Sequence, residues 1–300
     1  MRVALSGSSG LIGRALTRAL SAEGHAITRI VRSLSGVGPA EKVVVWNPRE
    51  GAIEAAGLEG HDVVVHLAGE SIAGIWTEAK KRRIRESRVQ GTTLLAETLA
   101  KLHAPPSVLF SGSAFGIYGD RDPSEVLTEA SATGQGFLPD VARAWEASTR
   151  AAEQAGIRVV HMRFGNVLSR EGGFLHILLP FFRVGLGVKF GSGDQVWPWI
   201  AVDDVPPALL HVLEEKQISG PVNFVAPEAV TNEEFTKTLA AVIGRPAWLV
   251  VPSFAARLAP GGMAEELLLG GARVVPEKLQ TSGYQFRYRE LRAALKSMLR

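Results

Sequence analysis

A strand-like run, Arg2-Val3-Ala4-Leu5-Ser6, passes without a break into Gly7-Ser8-Ser9-Gly10-Leu11-Ile12-Gly13, after which apolar residues recur at helical spacing. Strand, glycine turn and helix start in this order make a cradle for a pyrophosphate. The glycines have separate tasks: Gly7 allows the tight turn, Gly10 lets backbone approach the phosphates, and Gly13 lets the helix pack closely on the sheet. The helix N-terminus adds unpaired N–H groups and a partial positive charge. The expected ligand is a dinucleotide.

The second strand distinguishes NAD from NADP. An NAD site places a carboxylate near its end for the ribose 2′-OH. Here the strand ends Ile30-Val31-Arg32-Ser33, and no carboxylate follows until Glu41. A guanidinium suits a 2′-phosphate through bidentate charge-assisted bonds, so NADP(H) is the expected cofactor; a solvated loop arginine is the plain alternative.

Strand candidates Arg2–Ser6, 25–31, 42–46, 62–67, 107–111 and Arg158–Phe164 alternate with helical patterns. The run Val63-Val64-Val65 is apolar on successive residues, as expected of a strand covered on both faces. The fold class is α/β, a doubly wound parallel sheet of the Rossmann type. The 300 residues suit about two domains. The expected division is a cofactor domain over 1–170, with 203–226 returning to it, and a smaller substrate lobe from 171–202 and 227–300. Thr231-Asn232-Glu233-Glu234 is a capping box opening a helix that runs to Ile243, and a last helix is expected over 288–299.

With no cysteine, the chain has no disulfide, thiolate nucleophile or iron–sulfur cluster. Thirty-three basic and 30 acidic residues leave a net charge of +3, which does not point to nucleic acid. No two of the seven histidines lie at helical ligand spacing, so no metal is expected. No apolar run is long enough for a membrane span, and the N-terminus does not read as a signal peptide. A cytoplasmic protein acting on a small molecule is expected, and the oligomeric state is left open.

A long helix is expected over 77–102. Most of its basic run reads as a solvated face, but Arg88 shares a stripe with Ile84, Gly91 and Leu95. A buried arginine needs a counter-charge, either a structural carboxylate or an anionic ligand.

Several segments together resemble the extended short-chain dehydrogenases/reductases. They are the N-terminal loop, Asp62 to Gly69, Gly91-Thr92-Thr93-Leu94-Leu95, Phe110-Ser111-Gly112-Ser113-Ala114 and Ile200-Ala201-Val202-Asp203-Asp204-Val205. Further segments, among them Gly69-Glu70-Ser71-Ile72, Ser113 to Gly119, Trp145-Glu146 and Pro198-Trp199, resemble the "epimerase family protein" branch. Members of that branch are assigned as NADP-dependent oxidoreductases, mostly without a known substrate, and carry a small C-terminal domain similar to the tail from Thr231. The resemblance implies that Gly7, Ser9, Gly10, Leu11 and Ile12 line the pyrophosphate. It also implies that Arg32 and Ser33 meet the 2′-phosphate, and that Leu67, Ala68 and Gly69 lie along the cofactor. Arg88 falls where the wider family has an Asn near the cofactor, and Ser113 at the catalytic Ser/Thr.

The family's acid–base pair is missing. A tyrosine four residues before a lysine would exchange the proton while hydride moves, and this chain has no Tyr-x-x-x-Lys. Alignment through Trp145-Glu146 puts Leu138 and Ala142 at those positions. An arginine that reaches the diphosphate of a nucleotide sugar is replaced by Trp197-Pro198-Trp199, two indoles that suit a flatter ligand or packing between lobes. The remaining proton donors are Ser113, Tyr118, Glu70 and water. The leading expectation is an NADPH-dependent reductase of a small carbonyl compound, with Ser113 polarising the acceptor. A non-catalytic NADP(H)-binding regulatory protein is the alternative, and a sugar epimerase a weaker one.

Overall fold

The structure, a computed structural model, describes residues 1–258 and 260–299. Its first half runs β1 (Arg2–Ser6), α1 (Leu11–Ala22), β2 (Ala26–Val31), β3 (Lys42–Asn47), β4 (Ala52–Ile53), β5 (Val63–His66), α2 (Glu78–Leu99), β6 (Val108–Ala114), β7 (Val126–Leu127), α3 (Phe137–Ala147), α4 (Arg150–Gln154) and β8 (Arg158–Phe164). The chain continues through β9 (Asn166–Leu168), α5 (Gly173–Arg183), β10 (Val188–Phe190), β11 (Val196–Trp197), β12 (Trp199–Ala201), α6 (Val205–Glu214) and β13 (Gly220–Phe224). It closes with β14 (Val230–Thr231), α7 (Asn232–Ile243), β15 (Leu249–Val251), α8 (Ser253–Arg257), β16 (Arg273–Val274), α9 (Glu277–Thr281) and α10 (Leu291–Leu299).

An eight-stranded sheet has the order β13-β8-β6-β5-β1-β2-β3-β4. Its pairings are parallel except that of β3 with β4. This is the expected α/β Rossmann-type sheet. The chain winds from β1 to β2 and β3 on one side, then crosses to β5 on the other. That reversal opens a crevice at the C-terminal ends of β1 and β5, where sheets of this kind bind ligands.

Both faces of the central strands β1 and β5 are covered. Val3, Leu5, Val63 and Val65 pack with Leu16 and Leu20 of α1 and Val205 and Leu209 of α6. The intervening residues Ala4 and Val64 pack the other way, with Leu95 and Leu99 of α2. Successive apolar residues in β5 are thereby all buried.

Two helices are shorter than the sequence suggests. Thr77 is the N-cap of α2 and accepts the Lys80 N–H at 3.2 Å. The far end stops at Leu99, short of Leu102, because Glu59 takes the N–H groups of His103 and Ala104 and two prolines follow. The last helix begins at Leu291, not Tyr288. Buried Asp204 accepts the N–H groups of Arg287 and Tyr288 at 2.7 and 3.1 Å, holding that turn out of the helix.

A second core joins Leu175, Leu179 and Phe182 of α5 to Phe235 and Leu239 of α7 and to Leu291 and Leu295 of α10. Trp197 and Trp199 are buried within it. Trp197 packs among Phe174, Phe190 and Phe235, and Trp199 donates its indole N–H to the Glu228 carbonyl at 3.0 Å. These indoles are core, which is the packing reading of the pair. The tail also reaches back to the first half: β16 pairs with β7, and Leu279, Tyr284 and Phe286 pack in the first core.

Among the described residues no helix is long and apolar enough to cross a membrane, and no group of His, Asp or Glu is arranged to hold a metal ion.

Candidate functional site

The site begins where β1 ends. Gly7 has φ +68°, and a Cβ there would stand 2.7 Å from the Leu67 carbonyl carbon. A Cβ on Gly13 would stand 2.2 Å from the Gly7 carbonyl oxygen. These two positions need glycine because backbone lies against backbone. Gly10 is the N-cap of α1 with no side-chain cap, and no carboxylate occupies the first turn. The first helical bond is that of the Arg14 N–H to the Gly10 carbonyl at 2.9 Å, so the amides of Leu11, Ile12 and Gly13 are left for an anion.

Ser6 ties this loop to the segment after β5. Its hydroxyl lies 2.6 Å from His66 Nδ1 and accepts the N–H groups of Leu67 and Ala68 at 3.1 and 3.3 Å. Leu67, Ala68 and Gly69 are therefore held beside Gly7. His66 is fully buried, and burial pushes its imidazole down to about 4, so it stays neutral.

Arg88 closes the next part of the crevice. The Gly69 Cα faces its guanidinium, with the nearest contact of an added Cβ at 3.4 Å. Nη1 donates to the carbonyls of Glu70 and Ile84 at 3.0 and 3.1 Å, and the guanidinium lies over the Trp145 ring at 5.0 Å. No carboxylate pairs with it among the described residues. Burial pushes Arg88 down to about 10, with the nearby charge of Glu70 opposing. Of the two counter-charges expected, the structural carboxylate is not in contact with Arg88 among the described residues.

Ser113 stands in β6 opposite Arg163 in the register of the sheet. It is buried, and its hydroxyl donates to Glu146 Oε1 at 2.7 Å. Arg163 grips the same carboxylate through Nε and Nη2 at 2.8 and 2.9 Å. Burial pushes the Glu146 carboxyl up, but Arg163 and Ser113 outweigh it and hold it below its ordinary value. Leu138 and Ala142, at the missing Tyr and Lys positions, both pack in apolar clusters.

Two expected proton donors do not suit that role. Tyr118 is completely buried. Its hydroxyl donates to Asn223 Oδ1 at 2.8 Å and accepts from Arg163 Nη1 at 2.9 Å, and burial raises its pKa. It braces the network behind Ser113 and faces no open space. Glu70 pairs with Lys80 at 2.7 Å, and Arg83 lies 3.7 Å away. The Lys80 hydrogen bond holds its carboxyl low, and a carboxylate kept ionised is a poor acid.

Arg32 and Ser33 are exposed at the end of β2. Ser33 Oγ takes the N–H of Ser35, and Arg32 makes no hydrogen bond or ion pair to another described residue. Ser9 is exposed, and its carbonyl accepts from Arg14 at 2.6 Å. Arg29 and Glu146 have no role assigned by the sequence alone. A cation inside the alternating pattern of β2, and a carboxylate on the buried stripe of α3, were the available signals.

Residues 3–225 match the NAD dependent epimerase/dehydratase family, and residues 251–298 match a domain of unknown function, DUF1731. An epimerase family protein of Mycobacterium tuberculosis is 42% identical over 295 residues, 98% of this chain and 96% of its own. The human epimerase family protein SDR39U1 is 37% identical over 305 residues, spanning 100% of both chains. The crystal structure of the human protein (isoform 2) with NADPH has a TM-score of 0.89 at 35% identity, over 99% of each chain. The structure of MoeE5 with UDP-glucose and NAD, at 18% identity and a TM-score of 0.76 over 99% of this chain and 97% of its own, shares the fold. A sheet wound about the β1–β5 crevice, an uncapped glycine loop and relatives matched from end to end agree: the chain belongs to the NAD dependent epimerase/dehydratase family.

Proposed function

We propose that the chain binds NADP(H) along the crevice and transfers hydride between it and a small carbonyl compound or the corresponding alcohol. The residues fit such a cofactor. The uncapped start of α1 offers amides to a pyrophosphate, the Gly7–Gly13 backbone leaves no room for a side chain, and Arg88 is a half-buried cation without a carboxylate partner among the described residues. Arg32 stands free at the end of β2 for a 2′-phosphate, and the human relative was crystallised with NADPH.

A bound nicotinamide supplies or accepts the hydride. The protein must handle the proton, and the observation that carries this reading is the Ser113–Glu146 hydrogen bond of 2.7 Å. Ser113 has one proton and gives it to Glu146, so its oxygen offers lone pairs to a ligand. A substrate hydroxyl fits that polarity directly. When the alcohol is oxidised, its O–H proton passes to Ser113 Oγ while the Ser113 proton passes to Glu146 Oε1. In reduction the proton comes from water, because Arg163 keeps Glu146 ionised and a carboxylate so held is a poor acid. Ser113 thus acts as a relay more readily than as the carbonyl polariser that the sequence suggests.

Titration with NADPH and NADH, followed by a panel of small alcohols and carbonyl compounds, tests this reading. Turnover that falls roughly 100-fold in Ser113→Ala supports it. A panel that never changes NADPH absorbance above background removes the catalytic half. The apolar side chains at the Tyr and Lys positions, Leu138 partly buried and Ala142 buried, favour a second reading, an NADP(H)-binding regulatory protein. In that case the cofactor raises the melting temperature and no substrate turns over.

A further inference from the structure

Between β2 and β3 the chain runs from residue 32 to 41 with no helix. One face of these strands is covered by α2, through Ile30, Val44 and Trp46. The other face, beside α1, is left open. An open groove of about 720 Å3 lies there, running from Ser8 and Ser9 of the glycine loop past Arg14 and Arg29 to Glu41 and Lys42.

Arg29 is the half-buried centre of this groove. It lies on the same side of β2 as Ile27, which packs against the α1 core. Its Nε donates to Ser8 Oγ at 3.0 Å, and its Nη1 bonds Glu41 Oε2 at the groove's edge. The other Glu41 oxygen accepts the Gly38 N–H at 3.2 Å, so the carboxylate also shapes the loop after β2. The Arg29 bond holds the Glu41 carboxyl below its ordinary value, and the group stays ionised at neutral pH.

A pyrophosphate on the start of α1 sends the adenosine ribose toward the end of β2, beside Ser8 and Ser9. A 2′-phosphate there enters a groove whose central guanidinium is already engaged. A phosphate monoester, with about −1.5 to −2 charge and three acceptor oxygens, is the stronger partner for that fork. We propose that Glu41 is a built-in competitor for the cofactor's 2′-phosphate: it holds Arg29 in the free protein and gives it up when a phosphorylated nucleotide binds. Arg29 is then a selectivity residue alongside Arg32, and Glu41 sets how tightly NADPH is held. Discrimination arises because NADH brings nothing that displaces Glu41.

The inference rests on the NADP(H) reading. Calorimetry of the full chain with NADPH, NADH and 2′,5′-ADP keeps the two apart, since the last probe has the 2′-phosphate but no nicotinamide. Glu41→Gln, at an exposed loop position, tightens NADPH and 2′,5′-ADP about threefold and leaves NADH unchanged. Arg29→Met weakens both phosphorylated ligands about tenfold, again without change for NADH, and Arg29→Lys falls between because the fork is lost. In the Arg29→Met background Glu41→Gln has no effect. Equal shifts for NADH and NADPH, or weaker NADPH binding in Glu41→Gln, overturn the proposal and leave Glu41 as a loop brace. A wild-type chain that binds neither nucleotide overturns the cofactor reading beneath it.

Discussion

The Arg88 guanidinium lies 5.0 Å above the Trp145 ring and donates to two backbone carbonyls, with no carboxylate of the described residues in contact. A desolvated cation held only by dipoles and an aromatic face is expensive, and its removal relieves the fold. Arg88→Met should therefore leave the nucleotide-free protein as stable as wild type, or more stable by about 1 kcal/mol, while weakening NADPH about tenfold. Thermal melts with and without cofactor check both halves. A large loss of stability without nucleotide would falsify the assignment of Arg88 to an anionic ligand.

Gly13→Ala separates the backbone argument from the charge argument. Its Cβ would press on the Gly7 carbonyl, so the loop must shift. The expected loss is about 1–3 kcal/mol of stability together with cofactor binding. Gly24→Ala is a useful contrast, because an added Cβ there meets nothing within 4 Å although φ is +79°. Its penalty comes from backbone strain alone and leaves nucleotide affinity untouched.

Glu146 and Ser113 should behave differently when altered. Glu146→Gln leaves the Arg163 guanidinium buried without its counter-charge and destabilises the protein by about 3–5 kcal/mol. Ser113→Ala removes a single hydroxyl and costs about 1 kcal/mol. Urea titrations of the two variants rank them, and equal losses would show that Arg163 does not depend on this carboxylate.

His66 gives stability a defined pH dependence. Its folded pKa is about 4 against an ordinary 6.5. The unfolded chain therefore takes up a proton from about pH 6.5 downward, while the folded protein resists until about pH 4. The contribution is fully present above pH 6.5 and is lost as the pH falls across that window, by about 3 kcal/mol in total. Denaturation midpoints at pH 7.5 and 4.5 should fall further apart in wild type than in His66→Gln.

How much of this was legible beforehand follows from the range of each contact. The glycine loop is a local device: Gly7, Gly10 and Gly13 meet within one turn of chain, and their spacing states the geometry. The parallel sheet was equally readable, because a strand buried on both faces has to be apolar throughout. Tyr118 was not, since its partner Asn223 lies 105 residues away and only the assembled sheet shows the ring to be sealed. Arg88 was half readable. Its place on the apolar stripe implied burial, but that its partners are carbonyls and an indole depends on how α2 meets α3. Arg29 went unremarked because a cation in a strand reads as an edge residue until the missing β2–β3 helix leaves a groove beside it.

The return of the tail has a practical consequence. Leu279, Tyr284 and Phe286 complete the packing under α6, and Asp204 staples residues 287 and 288. The two matched segments, 3–225 and 251–298, are therefore unsuited to separate expression. A gene cut at codon 225 would encode a sheet with bare leucines and valines along one helix, and its product should collect in inclusion bodies. Supplying the missing carboxy-terminal piece as a second polypeptide in the same cell should bring it back into solution.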